Sequence, residues 1–233
     1  MGEPDHSRDK VQLTMRISPL LALLHRLRRD NRGLALIEFA FSLPVLLILG
    51  LTGLECANLA LAHMRISQVA MLVADNAARV RTSIDDADVN EIMTGADLST
   101  DALKLKANGR IFLSDLEPNG KTGSNAGNYI RWQRCWGSGN FTSSYGVAGN
   151  GTNDASMKDG MGPGTTAATK VTPASGTAVM FVEVAYNYQP LVSSTIFGPK
   201  IIRYTSAFNV RERTDQDIKN AGNLATSARA LCT

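Results

Sequence analysis

Histidine is scarce in this 233-residue chain: there are three, and the last is His63. Everything beyond it lacks the usual general base, so a histidine-dependent catalytic unit is excluded there and any metal site would rest on carboxylates. Cysteine is equally scarce, with Cys56, Cys135 and Cys232. No Cys-x-x-Cys occurs, which removes a zinc knuckle and a thioredoxin-like site. Also missing are His-Glu-x-x-His and Gly-x-Ser-x-Gly; Ser-x-x-Lys occurs once, at Ser7 to Lys10 in the polar N-terminal segment, and not beyond it, and no motif asks for a cofactor. Asp85, Asp86 and Asp88 cluster, but no glycine-pivoted loop with a closing bidentate glutamate follows, so they read as a solvated helix start and not as a calcium site. The net charge is only +3, and much of it sits near the N-terminus, so charge gives no case for nucleic acid. Arg131, Trp132 and Arg134 share one short segment and read as cross-strand packing. One enzymatic reading stays open: a hydrolase built on two carboxylates, which needs a cleft holding them about 5–9 Å apart.

Long apolar runs are also rare, with one exception. From Leu34 to Leu54 the only charge is Glu38. About 20 apolar residues in a helix span the roughly 30 Å core of a bilayer. Arg26, Arg28, Arg29 and Arg32 stand before this stretch, and the next cation after it is Arg65. The positive-inside rule therefore puts the N-terminus in the cytoplasm and the bulk of the chain outside. A cleavable secretory signal fits less well, because its apolar part is about 7–15 residues, although Ala60-Leu61-Ala62 offers a small-residue site. A carboxylate at the centre of a membrane helix costs about 2.5–3.5 kcal/mol. Glu38 lies one turn from the cytoplasmic end, where snorkelling to the headgroups lowers that cost. Pro44 predicts a kink that neighbouring groups must accommodate.

The order of these features carries a resemblance. A basic run, then Gly33, then an apolar helix with Glu38 fifth and Phe39 sixth, is similar to the processing site of type IV prepilins. The fuller string from Gly33 through Glu38, Phe39 and Pro44, with Gly53 and Glu55 after it, resembles the TadE-like family, pilin-like membrane proteins of tight-adherence (Flp-type) pilus machines. About 25 residues carry the likeness. Beyond them it is loose, in Trp132 to Cys135 and in the strand end before Pro190. The resemblance implies that a prepilin peptidase cuts between Gly33 and Leu34. It implies that Glu38 serves maturation and subunit docking, and that the partners are the peptidase, other pilins, pilus assembly proteins and the bacterial inner membrane. The rival is an uncleaved single-pass anchor displaying a periplasmic ligand- or partner-binding domain.

The expected layout is a basic leader over 1–33, a transmembrane helix over 34–54, and an exported pilin-like α+β domain over 55–233. Ser18 to Leu27 has the pattern of a short amphipathic helix on the inner membrane face, and a start at Met15 leaves the same arginines in place. Leu59, Ile66, Val69, Val73, Ala77 and Val80 recur at helical spacing, which extends the helix to about Val80. Ser83 or Asp85 is placed to cap a short helix, and Asp97 or Ser99 to start a second piece through Leu105. Four strands follow, over 110–116, 129–136, 177–188 and 200–210, giving an antiparallel sheet. Alternation puts Ile130, Trp132 and Trp136 on one face of a half-buried strand. Residues 137–176, rich in Gly, Ser, Thr and Asn, predict a long mobile loop. That loop has no Gly-Lys-Ser/Thr ending and so no phosphate cradle. Outside the cytoplasm Cys135 and Cys232 are free to pair. Such a bridge is worth about 4–5 kcal/mol by loop entropy; the other reading is buried free thiols. The tail from Arg211 either frays or is tied back by Cys232.

Overall fold

The computed structural model describes residues 25, 26, 28, 33–192 and 198–232. The expected leader helix over Ser18–Leu27 lies mostly outside them. The chain divides into two compact units, Met1–Leu54 and Glu55–Thr233. The fold class is α+β.

Helix α1, Leu34–Arg79, is 46 residues long, with Pro44 inside it. Its first part, to Leu54, is exposed on every side, and its best 18-residue window has a mean hydropathy of 2.4. It is long and apolar enough to cross a membrane. From Glu55 on, the helix changes character. Ala62, Ile66, Val69, Ala70, Val73, Ala74, Ala77 and Ala78 are buried, a stripe at three- and four-residue spacing. These small side chains let the domain core approach the helix backbone closely.

Asp85 caps helix α2, Asp86–Ser99. Its side chain accepts from the Ala87 amide at 2.8 Å, while Asp88 accepts from the Asp85 amide at 2.9 Å. Both satisfy amides that a helix start leaves unpaired. The expected break at Asp97 or Ser99 is corrected: α2 runs through both and stops at Thr100, whose hydroxyl donates to the Ala96 carbonyl. A 3-10 turn (Asp101–Leu103) and the short α3, Leu105–Asn108, lead into the sheet.

Strands β1 (Gly109–Pro118), β2 (Asn128–Trp136), β3 (Val179–Asn187) and β4 (Ile201–Asn209) form one antiparallel sheet in the order β2-β1-β3-β4. One face packs Ile111, Leu113, Val182, Val184 and Tyr186 with the α1 stripe and α2. The other holds Leu116, Val179 and Phe181 under Met157 and Met161. The segment expected as a loop thus supplies the second layer, with no helix or strand of its own. Gly151, at φ +80°, brings its backbone against the Asn128 carbonyl where no Cβ fits. From Trp132 to Cys135 β2 is buried on both faces, beyond the half-burial expected, whereas from Asn128 to Arg131 buried and half-buried residues alternate.

A bulge splits the expected face of β2. Asp115 pairs with Trp132 but Leu116 pairs with Ile130, so Arg131 is the extra residue. One inserted residue reverses the alternation. Trp132 and Trp136 therefore face the main core while Ile130 joins the second cluster.

The tail is tied down. Cys135 and Cys232 form a disulfide across a separation of 97 residues. The Cys135 amide donates to the Ala230 carbonyl at 2.7 Å, and Lys219 exchanges two backbone bonds with Ile84 and Asp86.

Candidate functional site

The residues that carry the resemblance to a prepilin processing site lie where α1 begins. Gly33 immediately precedes Leu34, the first residue of α1, and nothing stands within 4 Å of where a Gly33 Cβ would be. Leu34 and Phe39 are more than half exposed, at 53% and 57%, and Glu38 is exposed. Among the described residues Glu38 has no ion-pair or hydrogen-bond partner within its own chain. No described atom crowds Gly33, the residue before the bond that the resemblance marks for cleavage, and the one carboxylate of the apolar stretch has no partner among the described residues. Cys56, the first cysteine after that stretch, is free and exposed.

The next carboxylate along the helix behaves in the opposite way. Glu55 is 2% exposed. Its carboxylate accepts from the Tyr188 hydroxyl at 2.6 Å and from the amides of Leu191 and Val192 at 3.0 Å each. Asn58 donates in turn to the Tyr188 oxygen at 2.7 Å. Burial pushes the Glu55 pKa up, but the Tyr188 hydroxyl, the two amides and the Lys200 charge outweigh it and hold the group below its ordinary value. Sequence reading missed this latch, since more than a hundred residues separate Glu55 from its partners. The only sign was an isolated acid at the first position past an apolar run.

Four further acids are buried among the described residues of the domain: Asp86, Asp115, Glu117 and Glu183. Asp86 accepts from Arg134 and Arg229, each at 2.6 Å. Glu183, 1% exposed, pairs with Arg203 at 2.6 Å and accepts from Ser143 and the Ser144 amide. It fastens the long loop to the sheet. Asp115 differs: it is fully buried, and neither carboxylate oxygen has a hydrogen-bond partner among the described residues. Burial, then the neighbouring Glu117 charge, raises its pKa to about 8 against the partial offset of Arg213 and Arg131. The folded chain therefore holds a proton that the unfolded chain releases near pH 4. Stability from this group is fully present below about pH 4 and falls by about 1.4 kcal/mol per pH unit until about pH 8. Asp115→Asn removes that slope. Thermal melts of the variant are expected to match wild type at pH 4 and exceed it at pH 8. An unchanged difference across the range would contradict the buried proton.

An open cleft of about 420 Å³ is lined by Glu117, Arg131, Thr177, Asp215 and Gln216, among others. It is the nearest thing to the carboxylate cleft that the hydrolase reading requires. Both acids lining it are engaged, Glu117 with Arg131 at 2.8 Å and Asp215 with Lys219 at 2.9 Å. Gly120-Lys121-Thr122 sits in the β1–β2 connection. The upstream position where a phosphate loop has glycine is Asp115, and a 3-10 turn follows in place of a helix. Among the described residues no three His, Cys, Asp or Glu side chains gather as a metal site. His63 lies against Tyr204, its Nδ1 3.3 Å from the hydroxyl. Arg131 and Arg134, weighed above as a nucleic-acid patch, are taken up by Glu117 and Asp217 and by Asp86.

Comparison with protein-family models, with curated proteins and with solved structures returned no match for this chain.

Proposed function

We propose that this chain is a pilin-like protein of the TadE-like kind. In this reading a prepilin peptidase matures it at Gly33–Leu34 and it serves the assembly of a tight-adherence type IV pilus at the bacterial inner membrane. The observation that carries the reading is the coincidence of four features at one peptide bond. The arginine run ends, a glycine follows, α1 starts at Leu34, and the apolar stretch then runs to Leu54 with one acid at its fifth residue. Leu36, Phe41, Ile48 and Leu49 expose 65–76% of their surface. An apolar surface of that extent is uncommon on a water-soluble monomer and suits lipid first and helix neighbours later.

Glu38 has a specific part in this reading. Cleavage frees an amine on Leu34, about 6 Å along the helix from Glu38 at 1.5 Å per residue. The amine of a neighbouring subunit pairs with Glu38, neutralising two charges in a medium where an unpaired charge is unfavourable. Partners are therefore the peptidase, other pilins and assembly proteins. The domain beyond Glu55 is the exported part, and its disulfide suits an oxidising compartment. The uncleaved anchor remains the second reading, favoured only by a retained leader.

Glu38→Ala is expected to insert normally and to lose filament assembly. Membrane fractionation measures the first, and recovery of the chain in sheared filaments or with assembly partners measures the second. Assembly at wild-type level by the variant removes the docking role.

A further inference from the structure

Strand β1 ends in two acids on one face of the sheet. Asp115 and Glu117 are two residues apart, and side chains at that spacing on a strand point the same way. Both oxygens of Asp115 and Oε1 of Glu117 are buried without a hydrogen-bond partner among the described residues. Arg131 and Tyr129 both donate to the other Glu117 oxygen, Oε2, at 2.8 and 3.1 Å. Buried polar atoms are nearly always paired, so open carboxylate oxygens gathered in one place point to a missing donor.

Glu117, only 9% exposed, lines the open cleft of about 420 Å³. Acid is in excess around it. Asp115, Glu117, Asp215 and Asp217 stand against Arg131, Arg213 and Lys219, and Asp88 of α2 also acts on Arg213. The proton held by Asp115 offsets part of that excess. Ser175, Thr177 and Thr214 add hydroxyl oxygens to the cleft wall. The Thr177 proton is spent on the Ala174 carbonyl at 2.8 Å, which leaves its oxygen as an acceptor. Such a wall complements a group with several N–H donors and one positive charge. A metal ion fits less well, because no three His, Cys, Asp or Glu side chains gather among the described residues.

We propose that this cleft binds a primary ammonium group, carried by a free alkyl diamine or by a lysine side chain. The ammonium donates to Oε1 of Glu117 and to the wall hydroxyls. Its charge takes the place of the proton on Asp115, which passes to solvent. The cleft lies wholly within Glu55–Thr233, so cleavage at Gly33 has no bearing on it.

The test is calorimetric titration of the detergent-solubilised full chain with putrescine, with Nα-acetyl-lysine amide and with calcium ion. The expected result is amine binding that weakens about tenfold or more in Glu117→Gln, the usual loss for a hydrogen bond to a charged group, and by a smaller factor in Thr177→Val, which keeps the side-chain shape. Affinity is expected to rise from about pH 6 to about pH 8 in the wild type, as Asp115 gives up its proton, and to stay level in Asp115→Asn. The tighter of the two amines tells a free diamine from a protein side chain. The site is overturned by no amine binding to the wild type up to about 10 mM, by unchanged binding in both Glu117→Gln and Thr177→Val, or by a flat wild-type pH profile. Calcium binding tighter than either amine overturns it as well.

Discussion

Replacing Asp86 by alanine is expected to destabilise the domain by about 3–5 kcal/mol, the usual cost of removing one partner of a buried ion pair. Asp86 is 1% exposed and receives two guanidinium groups, Arg134 from β2 and Arg229 from the tail. The Arg134 side chain is only 8% exposed. Without the carboxylate it keeps one carbonyl partner, its neighbour Gln133 at 3.1 Å, which cannot offset a buried charge. Asp86 also stands at the first position of α2, where the helix dipole favours an anion. Asp86→Asn keeps an acceptor but loses the charge and is expected to fall between wild type and alanine. Urea unfolding of the detergent-solubilised chain, followed by tryptophan fluorescence, measures both. A loss under about 0.5 kcal/mol for Asp86→Ala, the range of ordinary surface changes, would contradict this account of the joint.

Removing the disulfide is the second large effect. Cys135→Ser leaves a chain whose unfolded state regains the freedom of a loop spanning 97 residues. The chain-entropy model puts that at about 4–5 kcal/mol. The bridge and Asp86 hold the same strip of tail, through Cys232 and Arg229. Their losses should overlap, so the double variant is expected to fall short of the sum of the singles. Cys232 is exposed, so a reductant should reproduce the Cys135→Ser loss in wild type and add nothing to the variant. Equal stability of reduced and oxidised wild type would mean that the backbone bonds of the tail hold it alone.

The parts of this structure that sequence made legible are those governed by short periods. The stripe from Ile66 to Ala77 marked α1 to within one residue of its end, because three- and four-residue spacing is a local property of a helix. Alternation located all four strands, and Pro190 and Gly137 bounded two of them. The misses each have a non-local cause. The bulge at Arg131 depends on how β1 meets β2, so a face assigned by counting carried Ile130 to the wrong side. Residues 137–176 hold few apolar groups, yet Tyr145, Met157, Met161 and Val171 meet on one sheet face. Scattered singly along a glycine-rich segment, they have no period to detect. Asp97 and Ser99 are good helix starters, but α2 was already capped at Asp85 and had no reason to stop before them.

The two acids of α1 show the same division. The role proposed for Glu38 is read from its immediate neighbours alone: a glycine five residues back, an aromatic next to it and apolar residues all round. Glu55 was quoted in the same string, but its role depends on Tyr188, Leu191 and Val192. Only the fold brings those residues to it. The first stands exposed and unpartnered among the described residues of its chain, as a docking group requires. The second is satisfied on every side, as a structural group requires.

The central claim is that the chain is cut between Gly33 and Leu34. The direct measurement is the N-terminal residue and intact mass of the membrane-purified protein, expressed with and without a prepilin peptidase. The account predicts a chain beginning at Leu34 with the peptidase and an intact leader without it. A leader retained in both cases would contradict the pilin-like reading and leave a membrane-anchored domain.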